Sequence, residues 1–386
     1  MRKRVLGLLM ATVVWGCYSM SAGAAELAQE PVAEYQKIVV DDDEMYTYED
    51  MAADCGELAE RFGLDLSSLG ETACGRHVMC LTYGHGDINI LVSAGIHARE
   101  YYNPYLLMQL LEDFLVEADD TVADEITMYV IPMINPDGVS ISQFGEEAVP
   151  ESMRDILKLC YENDKSKGAT SESYEKYLRR WKSNALGVDL NRNFTVGFGG
   201  SGSKDYLSGT ACKGEAPLDQ VESKAIADLA DRICPDVSLS LHSYGEVYFD
   251  GHNTHSKKLS RILSRVTGYV YNTSPPNGGM LEQMLTANPE CACVTLETSN
   301  VSCPFGNKYN SRIYKKTKDV LKLTIDYARE NMKHETAVVA DATVPLASED
   351  QIAVVEQAME EQTMSDKEIG PVLSDAELKK ILEQFR

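Results

Sequence analysis

Four short apolar runs, each cut off by polar residues, constrain this chain more than anything else in it. DINILVSAGI (87–96) runs into His97 and, three positions on, Glu100. ITMYVIPMI (126–134) stops at Asn135-Pro136-Asp137-Gly138. DVSLSL (236–241) stops at His242, and CACVTL (291–296) at Glu297. Apolar runs of this length, bounded by turn or charged residues, read as strands buried on both faces. Helical patterns lie between and around them. YTYEDMAADCGELAERFG ends at Gly63, and Leu106–Val116 is entered through Asn103 as N-cap and Pro104 at the first helical position. Gln220–Ile233, Lys257–Thr267 (stopped by Gly268) and a long final stretch Ile313–Asn331 complete the helical set. Strands alternating with helices predict an α/β fold, a single domain with a mixed, mostly parallel central sheet flanked by helices. Such sheets bind ligands outside the carboxyl ends of their strands. That is where His97, Glu100, His242 and Glu297 collect.

The charge narrows the partners. A formal net charge of −24 over 386 residues argues against nucleic acid and against an anionic membrane surface, since both favour a basic face. The N-terminus reads as an export signal over residues 1–24. Arg2, Lys3 and Arg4 precede the apolar run Val5–Gly16, which is too short to span a bilayer, and Ala22-Gly23-Ala24 offers a cleavage site. Val14-Trp15-Gly16-Cys17 loosely resembles a lipoprotein signal, with Cys17 as the alternative anchor. Either way the expectation is a secreted or cell-surface protein with no membrane span in its mature chain. A short acidic segment (25–44) precedes the main domain (45–333). Residues 334–386 form an acidic linker and helical appendix with amphipathic stretches at Glu349–Glu360 and Asp375–Phe385. Nothing in the sequence sets an oligomeric state. Of ten cysteines, nine remain beyond the signal, an odd number that predicts partial disulfide bonding of undetermined connectivity.

A zinc ion that activates water needs three protein donors and one open position. His97 and Glu100, an H-x-x-E pair at a strand end, supply two. Among seven histidines, His242 is the best third because it directly ends a buried-type strand, and His252 and His255 lie further out in a Gly/Asn-rich loop. An isolated H-x-x-E pair is more often a surface or capping feature than a metal site.

The order of motifs changes that reading. GIHARE (95–100), NPDG (135–138), GVDLNRNF (187–194), SLHSYGE (240–246) and VTLETS (294–299) stand in the order and form of the zinc carboxypeptidase family. The chain resembles that family over about residues 45–330. The resemblance implies one Zn2+ per chain held by His97, Glu100 and His242, with Glu297 as general base. It also implies that Asn191 and Arg192 grip the substrate's C-terminal carboxylate, that Asp189 orients the first histidine, and that Arg99 lines the cleft. A bidentate guanidinium suits a carboxylate, and a metal-bound histidine usually leans on one.

Two family residues lack a clear counterpart. The carbonyl-polarising arginine would precede GVDLNRNF. In YLRRWKSNALGVDLNRNF, Lys182 is the first candidate and Arg180 the second. The mobile tyrosine aligns near Ser274, with Tyr269 and Tyr271 close by. Met280, Leu281 and Glu282 stand where the side-chain pocket is expected. HSYGEVYF and the Gly278-Gly279 pair look most like the bacterial branch that cuts γ-D-glutamyl-diamino acid bonds in cell-wall peptides. The implied function is an exported zinc metallopeptidase acting on peptides with a free C-terminal carboxylate. The alternatives are an ordinary carboxypeptidase for apolar C-terminal residues, a non-catalytic wall-binding protein on the same scaffold, and a deacylase using the same zinc set.

Overall fold

A computed structural model describes residues 35–39, 45–274 and 278–333. The export segment, most of the acidic segment 25–44 and the appendix 334–386 lie outside the described residues. The chain divides into two units, Met1–Gln36 and Lys37–Arg386. Of the first, only the exposed Tyr35 and Gln36 are described, and the sheet and its helices all belong to the second.

Eight strands form one sheet: β1 (Asp65–Glu71), β2 (His77–Gly84), β3 (Ile88–Ser93), β4 (Ile126–Ile131), β5 (Val237–His242), β6 (Val247–Asp250), β7 (Val270–Tyr271) and β8 (Ala292–Glu297). Their order across the sheet is β1-β2-β4-β3-β5-β8-β6-β7. The centre β4-β3-β5-β8 is parallel. The hairpin β1-β2 joins it antiparallel at β4, and β6 joins antiparallel at β8. The expected mixed, mostly parallel sheet is therefore present.

Side chains of the central strands alternate between two cores, as a sheet covered on both faces requires. Ile90, Val92, Leu239 and Val294 pack with helices Tyr48–Phe62, Tyr102–Glu117, Thr254–Thr267 and Val320–Asn331 on one face. Leu91, Ile131 and Cys293 pack with Val221–Ile233 and Met280–Ala287 on the other. A satellite core around the fully buried Trp181 gathers Met153, Leu157, Tyr177, Val188 and Cys212. It underlies the loop that carries residues 182–212.

Several local expectations need correction. Asn103 does not cap its helix, which spans Tyr102–Glu117 after a 3-10 turn at Ala98–Glu100. Asn135-Pro136-Asp137-Gly138 is no simple turn. Asn135 caps a helix Pro136–Phe144, its side chain accepting from the Gly138 N–H. Gly138 is required there, because a Cβ would sit 2.4 Å from the Ser183 carbonyl oxygen. The final helix is two, Asn310–Thr317 and Val320–Asn331. All nine described cysteines are free thiols, eight of them buried, so the expected partial disulfide bonding is not found among them. Each buried one fits as a small apolar side chain in a packed core. Among the described residues no helix is long and apolar enough to cross a membrane.

Candidate metal centre

Topology delivers the polar residues to one place. β3, β5 and β8 are neighbours and parallel, so their carboxyl ends lie side by side. His97 follows β3 through a tight bend, and the 3-10 turn after it swings Glu100 back beside the ring. His242 ends β5 and faces Glu297 at the end of β8 in register.

The three predicted ligands converge. His97 Nδ1 lies 2.9 Å from Glu100 Oε1 and 3.2 Å from His242 Nδ1, and His242 Nδ1 lies 3.5 Å from Glu100 Oε2. Donors around a tetrahedral zinc with bonds of about 2.0–2.2 Å stand roughly 3.3 Å apart. All three residues are buried, and among the described residues no other triad of His, Cys, Asp or Glu donors comes together in this way. A cation at the centre would satisfy two imidazole nitrogens and a carboxylate at once. The set of two nitrogens and one carboxylate oxygen suits zinc.

Electrostatics agree with a site poised for a cation. Burial pushes His97 down to about 4, with Lys182 and His242 adding to it against the pull of Glu100. Burial opposes ionisation of Glu100, yet His97 and His242 outweigh it and hold the carboxyl well below the usual range. His242 is also opposed by burial, but its bond to Glu100 raises it. At neutral pH the donor set thus offers a carboxylate and an unprotonated His97.

Around this set, Asp189 stands where a ligand-orienting carboxylate is needed. Its Oδ1 is 3.7 Å from His97 Nε2, a buried nitrogen with no hydrogen-bond partner. Lys182 Nζ reaches Asp189 Oδ2 at 3.0 Å. Burial raises Asp189, but Lys182, His97 and Arg192 together pull it to about 2. Asp189 also accepts the backbone N–H groups of Asn191 and Ala211, so one carboxylate fixes both sides of the loop and faces the ligand.

Glu297 is half-buried beside the cluster, and its buried Oε2 has no hydrogen-bond partner. Burial, reinforced by Glu100, pushes its carboxyl up to about 7 against the attraction of His242, Lys182 and Arg99. A base near neutrality with a free oxygen is what proton transfer at pH 7 asks for.

The remaining predicted residues divide. Asn191 accepts the Met280 N–H through Oδ1 at 2.9 Å, which ties it to the helix Met280–Ala287. Arg192 donates through Nη1 to the Asn191 carbonyl at 3.3 Å, while its Nε is buried without a partner. Arg99 is half-buried and contributes positive charge toward Glu297. Arg180 is not brought to the cluster, because it pairs with Glu172 at 3.2 Å on an exposed surface. Of the two candidates, Lys182 and not Arg180 is thus the cation beside the predicted ligands. Tyr269 donates to the Thr298 carbonyl and Tyr271 to Asp250, so both hydroxyls are already engaged. Met280 is buried, its sulfur accepting from the Ser93 hydroxyl, and belongs to the core under the sheet end.

Reading strand ends missed three polar residues directly behind the ligands: Asn103, Ser243 and Thr298, all buried. Their signal was positional, since Ser243 and Thr298 come immediately after His242 and Glu297, and Asn103 lies three positions beyond Glu100.

Comparison with known proteins agrees with this geometry. The family model described as zinc carboxypeptidase matches residues 51–341. The chain is 27% identical over 254 residues to gamma-D-glutamyl-L-diamino acid endopeptidase 1 of Lysinibacillus sphaericus, covering 60% of each chain. It is 25% identical over 258 residues to metallocarboxypeptidase A of Trichophyton tonsurans, covering 60% of this chain and 55% of that one. The matches therefore span about 60% or less of the length of these curated relatives. Among solved structures, the carboxypeptidase A from Helicoverpa armigera superposes with a TM-score of 0.59 at 18% identity, over 76% of this chain and 75% of that one. The fold, the buried donor set and the family match agree, and the chain belongs to the zinc carboxypeptidase family.

Proposed function

We propose that the protein is an exported zinc metallopeptidase that hydrolyses the C-terminal amide bond of peptides, with murein-derived peptides containing a γ-D-Glu–diamino acid bond as its substrate class. The observation that carries the reading is the buried His97–Glu100–His242 cluster set one strand away from Glu297, whose buried Oε2 has no partner. When bound, zinc supplies Lewis acidity to water and to the scissile carbonyl. In this reading Glu297 takes the proton of the attacking water and passes it to the leaving amine, which its position and raised pKa support. Asp189 faces His97 Nε2 at 3.7 Å and would orient the ring, and Lys182 favours the ionised form of Asp189. Lys182 adds positive charge where negative charge develops, as a point charge without the planar fork of an arginine. Arg192 and the amide nitrogen of Asn191 receive the substrate's carboxylate, and the unpartnered Nε of Arg192 supports that role.

The murein substrate class is supported by the relative named as a gamma-D-glutamyl-L-diamino acid endopeptidase. A second reading, a carboxypeptidase for apolar C-terminal residues, is supported by the relative named as a metallocarboxypeptidase and by the Asn191–Arg192 pair. Export rests on the basic and apolar segment before Ala25 and is tested by sequencing the N-terminus of protein recovered outside the cell.

Incubation with γ-D-Glu–diamino acid tripeptides and with N-blocked dipeptides ending in apolar residues, each followed by mass spectrometry with and without chelator, decides among the readings. Release of the diamino acid supports the first, and release from the dipeptides alone supports the second. Undiminished hydrolysis after complete metal removal defeats both, and no hydrolysis of either set favours a non-catalytic role.

A further inference from the structure

We propose that Asn103, Ser243 and Thr298 form a closed ring of side-chain hydrogen bonds that seats Glu100 against the His242–Glu297 register, making Asn103 and Thr298 positioning residues for the metal. The inference rests on the metal reading of His97, Glu100 and His242.

The ring can be traced proton by proton. The Asn103 amide Nδ2 donates to Ser243 Oγ at 3.5 Å, the longest leg. The Ser243 hydroxyl lies 2.9 Å from Thr298 Oγ1 and donates to it. The Thr298 hydroxyl donates to Asn103 Oδ1 at 2.7 Å. Thr298 Oγ1 is also 3.0 Å from the His242 carbonyl. That carbonyl also accepts the Thr298 backbone N–H at 2.8 Å, and the single hydroxyl proton of Thr298 goes to its nearer acceptor, Asn103 Oδ1. Each of the three groups therefore gives one bond and takes one. All three residues are buried, Asn103 and Thr298 completely. In such surroundings a closed ring is strongly preferred to a broken one.

Its place explains what it does. His242 and Glu297 are registered by the β5-β8 ladder and need no further tether. Glu100 is different, because it comes from a 3-10 turn outside the sheet. Besides its contact with His242, its carboxylate is held to the strand ends by a backbone bond, the Ser243 N–H donating to Oε2 at 3.0 Å. Asn103 lies in the next turn of the same segment, and through Ser243 and Thr298 it fastens that segment to the residues just after the ligand and the base. The ring is thus a second tether, and it sets the distance between Glu100 and His242. Groups behind a ligand commonly control metal affinity by about 10–100-fold.

The test strips the full-length protein of metal and measures Zn2+ rebinding against a chromophoric chelator, with Co2+ absorption as a second readout. Thr298→Val, which keeps the shape and removes the hydroxyl, is expected to weaken zinc binding at least about tenfold and to lower kcat more than it changes KM. Thr298→Ser keeps the hydroxyl and is expected to bind like wild type. Asn103→Leu should match Thr298→Val, and the double variant should be no weaker than the worse single one, because either change opens the same ring. A Thr298→Val protein that binds zinc as tightly as wild type overturns the proposal, whatever its Tm. Should Asn103→Leu fail to fold, the Thr298→Val and Thr298→Ser pair decides alone. A wild-type protein that takes up no metal removes the metal reading itself, and the ring's role with it.

Discussion

His97, Glu100, His242 and Glu297 stand at the ends of three neighbouring parallel strands, whereas Lys182, Asp189, Asn191 and Arg192 stand on a loop laid over a satellite core. Within the first group, His242 and Glu297 are positioned by strand register, and His97 and Glu100 by the 3-10 turn after β3 and the Ser243 backbone bond to Glu100. The second is positioned by side chains, chiefly the Asp189 carboxylate, which binds two backbone N–H groups and Lys182 and faces the ring of His97 at 3.7 Å. The difference has a physical consequence. Substitutions at the strand ends are expected to remove chemistry without loosening the scaffold, because the sheet beneath is buried on both faces. Substitutions in the loop are expected to change orientation and, on the proposed reading, substrate grip, because there the polar side chains are themselves the scaffold.

The largest effect separating the two regions is expected at Glu297. Glu297→Gln should lower kcat by about 10²–10⁴-fold, the usual contribution of a general base, with zinc content unchanged by elemental analysis. Full activity in that variant would remove Glu297 from the chemistry. On the loop side, Arg192→Ala should raise KM for free-carboxylate substrates roughly 10–100-fold, the value of a charged hydrogen-bonded pair. The same variant should leave hydrolysis of C-terminally amidated analogues unchanged, and equal losses on both would contradict a carboxylate grip. Asp189→Asn joins the two regions, since it weakens both the loop and the hold on His97. A loss of zinc affinity of about tenfold is expected, read by chelator competition, and it should be absent in Arg192→Ala.

The smallest effect on turnover should come from Glu222, a buried carboxyl that accepts from the Asn184 side chain under the same loop. Burial, with Asp137 adding to it, pushes Glu222 from 4.5 up to about 7. A folded-state pKa above the unfolded one gives stability that is complete below pH 4.5 and lost as pH rises through about 7. Glu222→Gln should therefore flatten the stability profile across that window. At pH 8 it should raise stability by on the order of 1–3 kcal/mol in urea melts, with kcat unchanged. An unchanged pH profile would place the charge elsewhere.

The two regions also differed in how legible they were. The strand ends could be read because buried strands announce themselves as apolar runs, and a polar residue that ends one has to face the ligand side of the sheet. The loop residues carry no periodicity. Asp189, Asn191 and Arg192 were recognisable only through the motif GVDLNRNF, and Arg180 shows the cost, since neighbouring cations in a loop are indistinguishable until one of them finds Glu172. The hairpin β1-β2 went unread because DLSSLGE is half-polar and half-buried, without the apolar density of a central strand. Asn103 was misjudged as a cap for a related reason. Asparagine before proline at a helix start is a good local capping pattern, but here the tertiary ring through Ser243 and Thr298 outweighs it.

The central claim is that His97, Glu100 and His242 hold one catalytic zinc. Titrating Zn2+ into metal-stripped full-length protein while monitoring release of the C-terminal residue tests it most directly. Activity should rise linearly and level off at one equivalent per chain, and His242→Ala should show neither the activity nor the stoichiometric uptake. Full activity before any zinc is added, or an unchanged titration in His242→Ala, would contradict the account.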